Sequence, residues 1–189
     1  MEDLNFLPVS REIELDPTRK MFYKFSPEGI IEYINDDFVA FTGFDPADVL
    51  GKKISDFRYP DIPVIIYELI ESRLDIQQNT NLLLKDKTKD GRYYWYLSDF
   101  EIKKNADGKI LSVYSSRKPA PRLVIIEIDK FYKKLLKIEQ NAGMEVAQKY
   151  FYGFQEEIGM SFLDYTNSLL ASVNAVVEKP KKKKRSFWG

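Results

Sequence analysis

Few side chains in this sequence can carry chemistry, and two of the usual ones are missing. Among 189 residues there is no histidine and no cysteine. Their absence excludes a disulfide framework, a Cys/His zinc site, a cysteine-ligated iron–sulfur cluster, a cysteine nucleophile, a Ser-His-Asp triad and a haem on a proximal histidine. Charge, aromatic surface and hydrogen bonding remain. Arg58 and Asp61 share a stretch punctuated by Pro60 and Pro63. A guanidinium can grip an anion in bidentate fashion, or the two residues can pair locally and fix the loop. Six basic residues, Lys179, Lys181, Lys182, Lys183, Lys184 and Arg185, crowd the last eleven positions beside Phe187 and Trp188. Such a run suits an anionic membrane surface, at about 1 kcal/mol per basic residue with the aromatics at headgroup level. A solvated tail is the alternative.

These residues need a scaffold, and the composition describes one. With 44% hydrophobic and 31% charged residues the chain is globular, long enough for one core and an appendage. Formal net charge is +0, but without the six terminal cations residues 1–178 hold 23 basic against 29 acidic residues. An acidic body argues against nucleic-acid binding. No apolar run approaches the ~20 residues that cross a bilayer, and the N-terminus lacks a signal pattern. The expected location is the cytoplasm, with the tail suited to the inner membrane face.

Alternation of apolar and polar residues predicts strands over 21–25 and 30–34, joined by a turn at Ser26-Pro27-Glu28-Gly29. Asn35 stands where a cap would start a short helix over 38–42, ended by Gly43. Asp45-Pro46 restarts a helix that ends near Gly51, and 64–74 is helical after Pro63. Strands follow over 80–84, 93–102 and 110–116, with turns at Lys89-Asp90-Gly91 and Asn105-Ala106-Asp107-Gly108. Beyond Pro121 three amphipathic helices are expected, the first striped by Val124, Ile128, Phe131, Leu135 and Ile138 and the third opened by Ser161-x-x-Asp164. The stripe can cover the sheet, pair two copies, or dock on a partner. This order predicts an α+β fold built on one antiparallel sheet. The boundaries are a 1–18 N-terminal cap, a 19–119 domain, a 120–178 helical segment and a 179–189 basic tail.

Several blocks within 26–119 resemble a PAS sensor domain. They are Pro27-Glu28-Gly29-Ile30-Ile31, Tyr33-Ile34-Asn35-Asp36-Asp37-Phe38 and Phe41-Thr42-Gly43-Phe44, then Arg58-Tyr59-Pro60-Asp61-Ile62-Pro63, Lys89-Asp90-Gly91-Arg92-Tyr93-Tyr94-Trp95 and Arg117-Lys118-Pro119. The fourth and fifth are similar to the bacterial aerotaxis-receptor type. That resemblance implies a five-stranded antiparallel sheet cupped around a small cavity, with short helices on one face. It also implies non-covalent FAD in the cavity, reporting redox or energy state, and a freestanding subunit that signals to a methyl-accepting chemoreceptor through its C-terminal helices, with homodimerisation as another contact. Carried over by position, Arg58, Tyr59 and Asp61 would hold the cofactor, Arg58 on the pyrophosphate. Asn35 would meet a flavin ring edge unless it merely caps its helix, and Trp95 would add aromatic surface.

Three positions depart from that group. Tyr59 replaces a histidine, Thr80 a tryptophan, and Asp86 falls where asparagine is common. A carboxylate near a flavin disfavours its anionic forms. The departures favour the alternative, a cofactor-free PAS module for dimerisation or receptor docking. No enzyme is expected, because about 70 residues after Pro119 fall short of a usual catalytic domain. LOV-type photochemistry is excluded for want of a cysteine.

Overall fold

The computed structural model describes residues 11–75 and 80–177. Residues 1–10 of the expected cap and the basic tail at 179–189 lie outside the described residues.

Strand β1 (Met21–Phe25) turns through Ser26–Gly29 into β2 (Ile31–Ile34). Helix α1 (Asp36–Thr42) starts on Asn35, whose side chain accepts from the Phe38 amide, and stops at Gly43, where φ is 71° and a Cβ would be strained. A short α2 (Pro46–Val49) begins with proline in its first turn. A 3₁₀ turn over Ile54–Phe57 follows, which periodicity did not predict. Then come α3 (Val64–Asp75) and the strands β3 (Thr80–Lys87), β4 (Tyr93–Lys104) and β5 (Ile110–Lys118). The β4–β5 turn is held by Asn105, whose Oδ1 accepts from the Asp107 and Lys109 amides at 3.0 and 2.8 Å.

The sheet is fully antiparallel in the order β2-β1-β5-β4-β3. Pairing β1 with β5 brings the two ends of the domain together in the centre and leaves β2 and β3 at the edges. β3 runs to Lys87 rather than Leu84, because polar Lys85 and Asp86 are both buried, each finding a partner on its own side of the sheet. Strand alternation separates the two faces. Tyr23, Leu84, Tyr94, Tyr96 and Arg117 point toward α1, α3 and the 3₁₀ turn. Leu83, Lys85, Tyr93 and Trp95 point the other way.

That second face is covered by helix α4 (Arg122–Ala142), followed by α5 (Met144–Ile158) and α6 (Phe162–Val177). The stripe read from the sequence is the buried one: Val124, Ile128 and Leu135 are all but inaccessible. Each such side chain contributes about 1.5–3 kcal/mol of burial. Tyr132, between Phe131 and the charged face, reaches the sheet: its ring lies 6.3 Å from Trp95, and its hydroxyl donates to the Leu83 carbonyl at 2.8 Å. Phe131 points instead to α5 and α6, within 4.5 Å of Phe154 and 5.1 Å of Phe162, centroid to centroid. The helices thus complete the domain by covering its sheet. Ser161 caps α6 by accepting from the Asp164 amide at 3.1 Å. Among the described residues no helix is long and apolar enough to cross a membrane.

Candidate functional site

A cavity of about 60 Å³ lies between the inner face of the sheet and α1, the 3₁₀ turn and α3. Its apolar walls are Phe38, Phe44, Ile70 and Leu84. Its floor is polar. Arg117 on β5 is buried there, its guanidinium 4.5–5.6 Å from the ring centroids of Tyr23, Phe38, Tyr94 and Tyr96. Nη2 pairs with Asp86 Oδ2 at 2.7 Å, and Nη1 donates to the Tyr94 hydroxyl. The Tyr96 hydroxyl donates to the same carboxylate at 3.0 Å. Cation–π contact in a desolvated setting adds to the ion pair in holding the guanidinium.

Full burial pushes the Asp86 carboxyl above its ordinary range, although Arg117 and the Tyr96 hydroxyl pull it back. Burial works against the Arg117 charge too, but Tyr94, Tyr96 and Asp86 outweigh it and hold the guanidinium protonated. Burial likewise raises the Tyr94 and Tyr96 phenols, which stay neutral donors and acceptors. Two polar atoms here have no hydrogen-bond partner, Arg117 Nε and the Tyr67 hydroxyl, and both belong to residues that line the cavity. The Tyr59 backbone amide acts on the Tyr67 oxygen but falls short of hydrogen-bond geometry.

Arg58 follows the 3₁₀ turn at the cavity mouth. It lies 4.3 Å over the Tyr67 ring and pairs with Glu71 at 2.6 Å. Its backbone bridges to Asp86, so the loop is stitched to the edge of β3. The local Arg58–Asp61 ion pair does not form.

Tyr59, Asp61 and Trp95 do come together, but around Lys85 on the far face. Lys85 Nζ pairs with Asp61 at 2.7 Å and stands 4.4, 4.0 and 5.4 Å from the Tyr59, Tyr93 and Trp95 ring centroids. Burial, with Asp61 nearby, pushes the Tyr59 phenol up to about 12. Consecutive residues point to opposite faces, so Lys85 and Trp95 cannot share the cavity with Asp86 and Tyr94. Asn35 is also elsewhere. Its Oδ1 accepts from the Phe22 and Phe38 amides at 3.1 and 3.2 Å, and its Nδ2 donates to the Lys20 carbonyl at 2.6 Å. It ties β1 to α1 and does not line the cavity. Of the five residues singled out in the sequence, Arg58 alone lines it.

Arg117, Tyr67, Tyr94, Tyr96 and Glu71 were not recognised from the sequence as site residues. A signal for them existed. Asp86 and Arg117 occupy positions that alternation assigns to the inward face, in phase with Leu84 and Val113. Opposite charges on the apolar phase of two strands mark a buried pair.

The family model described as a PAS domain matches residues 20–116, just over half of the chain. The chain belongs to the PAS domain family. Among solved structures, a light-oxygen-voltage domain from work on a flavin analogue matches with a TM-score of 0.51 at 20% identity, covering 66% of this chain and 89% of that one. The blue-light photoreceptor Aureochrome1 LOV domain, in its light state, matches with a TM-score of 0.50 at 21% identity over 64% of this chain and 91% of its own. The PAS domain of the fruit-fly ELK potassium channel gives a TM-score of 0.49 at 25% identity over 55% and 89%. For the two light-oxygen-voltage domains, at these identities, the likeness concerns the fold, in agreement with the observed sheet and helices.

FAD, which the aerotaxis-type blocks imply, does not fit this PAS cavity. Cofactor and drug-sized pockets hold about 300–1,000 Å³, against about 60 Å³ here. The Arg117–Asp86 pair and its tyrosines fill the space beneath, and Tyr59, Asp61 and Trp95 face away from it. Purified protein is therefore expected to be colourless, without the flavin band near ~450 nm that the isoalloxazine itself brings, and to take up no added FAD. A yellow preparation with stoichiometric FAD would overturn this.

Proposed function

We propose that this PAS domain is a non-enzymatic signal-transduction module that works without a flavin, its inner cavity acting as the input and its C-terminal helices as the output. The observation that carries this reading is the Glu139 carboxylate of α4. Its Oε2 accepts from the Val64 amide at 3.0 Å and its Oε1 from the Ile65 amide at 3.1 Å. Glu139 thereby caps α3, supplying from 74–75 residues away the acceptor that a local N-cap side chain ordinarily provides. Helix α3 is also the cavity wall that bears Tyr67, Ile70 and Glu71. A shift of α3 that follows a change in the cavity alters hydrogen bonds made by α4. Gln148 of α5 adds a second tie, donating to Glu68 of α3 at 3.3 Å.

Replacing Glu139 by alanine tests the coupling. The loss of a cap is worth about 0.5–2 kcal/mol, so the Val64 and Ile65 amides and the following turn of α3 should exchange with deuterium several-fold faster, while β5 keeps its protection. Unchanged exchange in α3 would sink the relay. For the output, the aerotaxis-type blocks favour a methyl-accepting chemoreceptor or a similar signalling protein, and energy taxis as the pathway. Arg58 at the mouth is the feature that supports a flavin version, which needs the cavity to open well beyond its present volume.

A further inference from the structure

Two residues that line one small cavity each carry an unpartnered donor, and their chemistry restricts what the cavity can hold. Arg117 commits Nη1 to Tyr94 and Nη2 to Asp86, which leaves Nε–H buried without an acceptor. The Tyr67 hydroxyl on the opposite wall is equally buried and unbonded. A lost hydrogen bond to a charged group costs about 1.5–3 kcal/mol, so two such donors on the same hollow indicate an acceptor between them. An Arg Nε–H can only donate.

Charge and size narrow the acceptor further. The charged residues whose side chains face the cavity balance, Arg58 and Arg117 against Glu71 and Asp86. Glu71 is neutralised by Arg58, and Asp86 by Arg117, so neither carboxylate is free to repel an anion. A water needs roughly 10–15 Å³ of such space, so about 60 Å³ admits a molecule of about four to six heavy atoms. Phe38, Phe44, Ile70 and Leu84 offer the remainder of that molecule an apolar wall. Tetrahedral anions such as phosphate would face those side chains with oxygens left unpaired, which is costly.

We propose that the cavity binds a short aliphatic monocarboxylate, its oxygens accepting from Arg117 Nε–H and the Tyr67 hydroxyl and its alkyl end resting on Phe38, Phe44, Ile70 and Leu84. This deepens the signalling reading above and rests on it: the carboxylate is the input, and Tyr67 places it directly on α3, the helix that Glu139 caps.

The test follows the Arg117 Nε–H resonance in proton–nitrogen spectra of the labelled full chain while propionate is added. Propionamide, a neutral molecule of the same shape, and sodium chloride serve as comparisons. The expected result is a saturable shift of the Arg117 signal with propionate and none with propionamide or chloride. Tyr67→Phe removes a single oxygen and leaves the fold intact, and it should weaken propionate binding about tenfold or more. No saturable shift, an equal response to propionamide, or undiminished affinity in Tyr67→Phe would each overturn the proposal, leaving ordered water as the occupant. The Glu139→Ala exchange experiment uses no ligand, so failure of the carboxylate and failure of the relay are read separately.

Discussion

Replacing Asp86 by alanine is expected to lower the stability of the domain by about 3–5 kcal/mol, the cost of leaving a buried charge without its counterion. Arg117 cannot escape to water: its side chain is 5% exposed, enclosed by Tyr23, Phe38, Tyr94 and Tyr96. The substitution also orphans the Tyr96 hydroxyl. Urea unfolding monitored by circular dichroism measures the loss, and a cost below about 1 kcal/mol would show that Arg117 is not held as described. Asparagine at the same site is a milder change, because its amide oxygen still accepts from Arg117 and Tyr96.

Wild type and the asparagine variant should also differ with pH. Burial raises the folded-state pKa of Asp86 above its unfolded value. Above the ordinary carboxylate range the unfolded chain has lost this proton while the folded chain still binds it, so the Asp86 contribution to stability falls as pH rises through the folded pKa. The gap between wild type and Asp86→Asn should therefore narrow as pH rises across that window. A gap that widens would show that the ion pair outweighs burial. The exposed Asp90 runs the opposite way: Arg92 and Thr88 lower its carboxyl to about 2, so its smaller contribution is lost on acidification.

Phe131→Ala is expected to have an effect of similar size, about 3–5 kcal/mol for a truncated buried phenylalanine, but in another part of the molecule. Its ring is the hub of the helical layer, 4.5 Å from Phe154, 5.1 Å from Phe162, 6.0 Å from Tyr150 and 6.2 Å from Phe151, centroid to centroid. Aromatic pairs add about 0.5–1.5 kcal/mol each beyond burial. The neighbouring Tyr132 still anchors α4 to Trp95 and Leu83, so α4 should stay on the sheet while α5 and α6 loosen. Hydrogen exchange reads this as lost protection in 144–177 with β4 unchanged. A uniform loss through the sheet would mean that the helices and the sheet form one cooperative unit, and would leave α4 no separate role in output.

Local elements were legible because their causes are local. Asn35 before α1, Pro46 in the first turn of α2, Gly43 as a left-handed stop and the Asn105 turn are each decided within a few residues. The stripe of α4 was legible because its periodicity is that of the helix. The site was harder. Tyr59, Asp61 and Trp95 belong to blocks that carry the family resemblance, yet they gather around Lys85 on the face opposite the cavity. A loop residue has no period from which to read its direction, and the crossing of residues 58–63 over the edge of β3 decides which face each side chain meets.

By itself, the sequence determined the absence of thiol and imidazole chemistry, the antiparallel PAS sheet, and the three amphipathic helices after it. Only the tertiary structure decided that Asp86 and Arg117 meet on the inner face of the sheet, that the hollow above them measures about 60 Å³, and that Glu139 closes the end of α3. Those contacts join residues 31 and 74–75 positions apart, and they depend on strand register and on which face a helix covers, which composition and spacing along the chain do not encode.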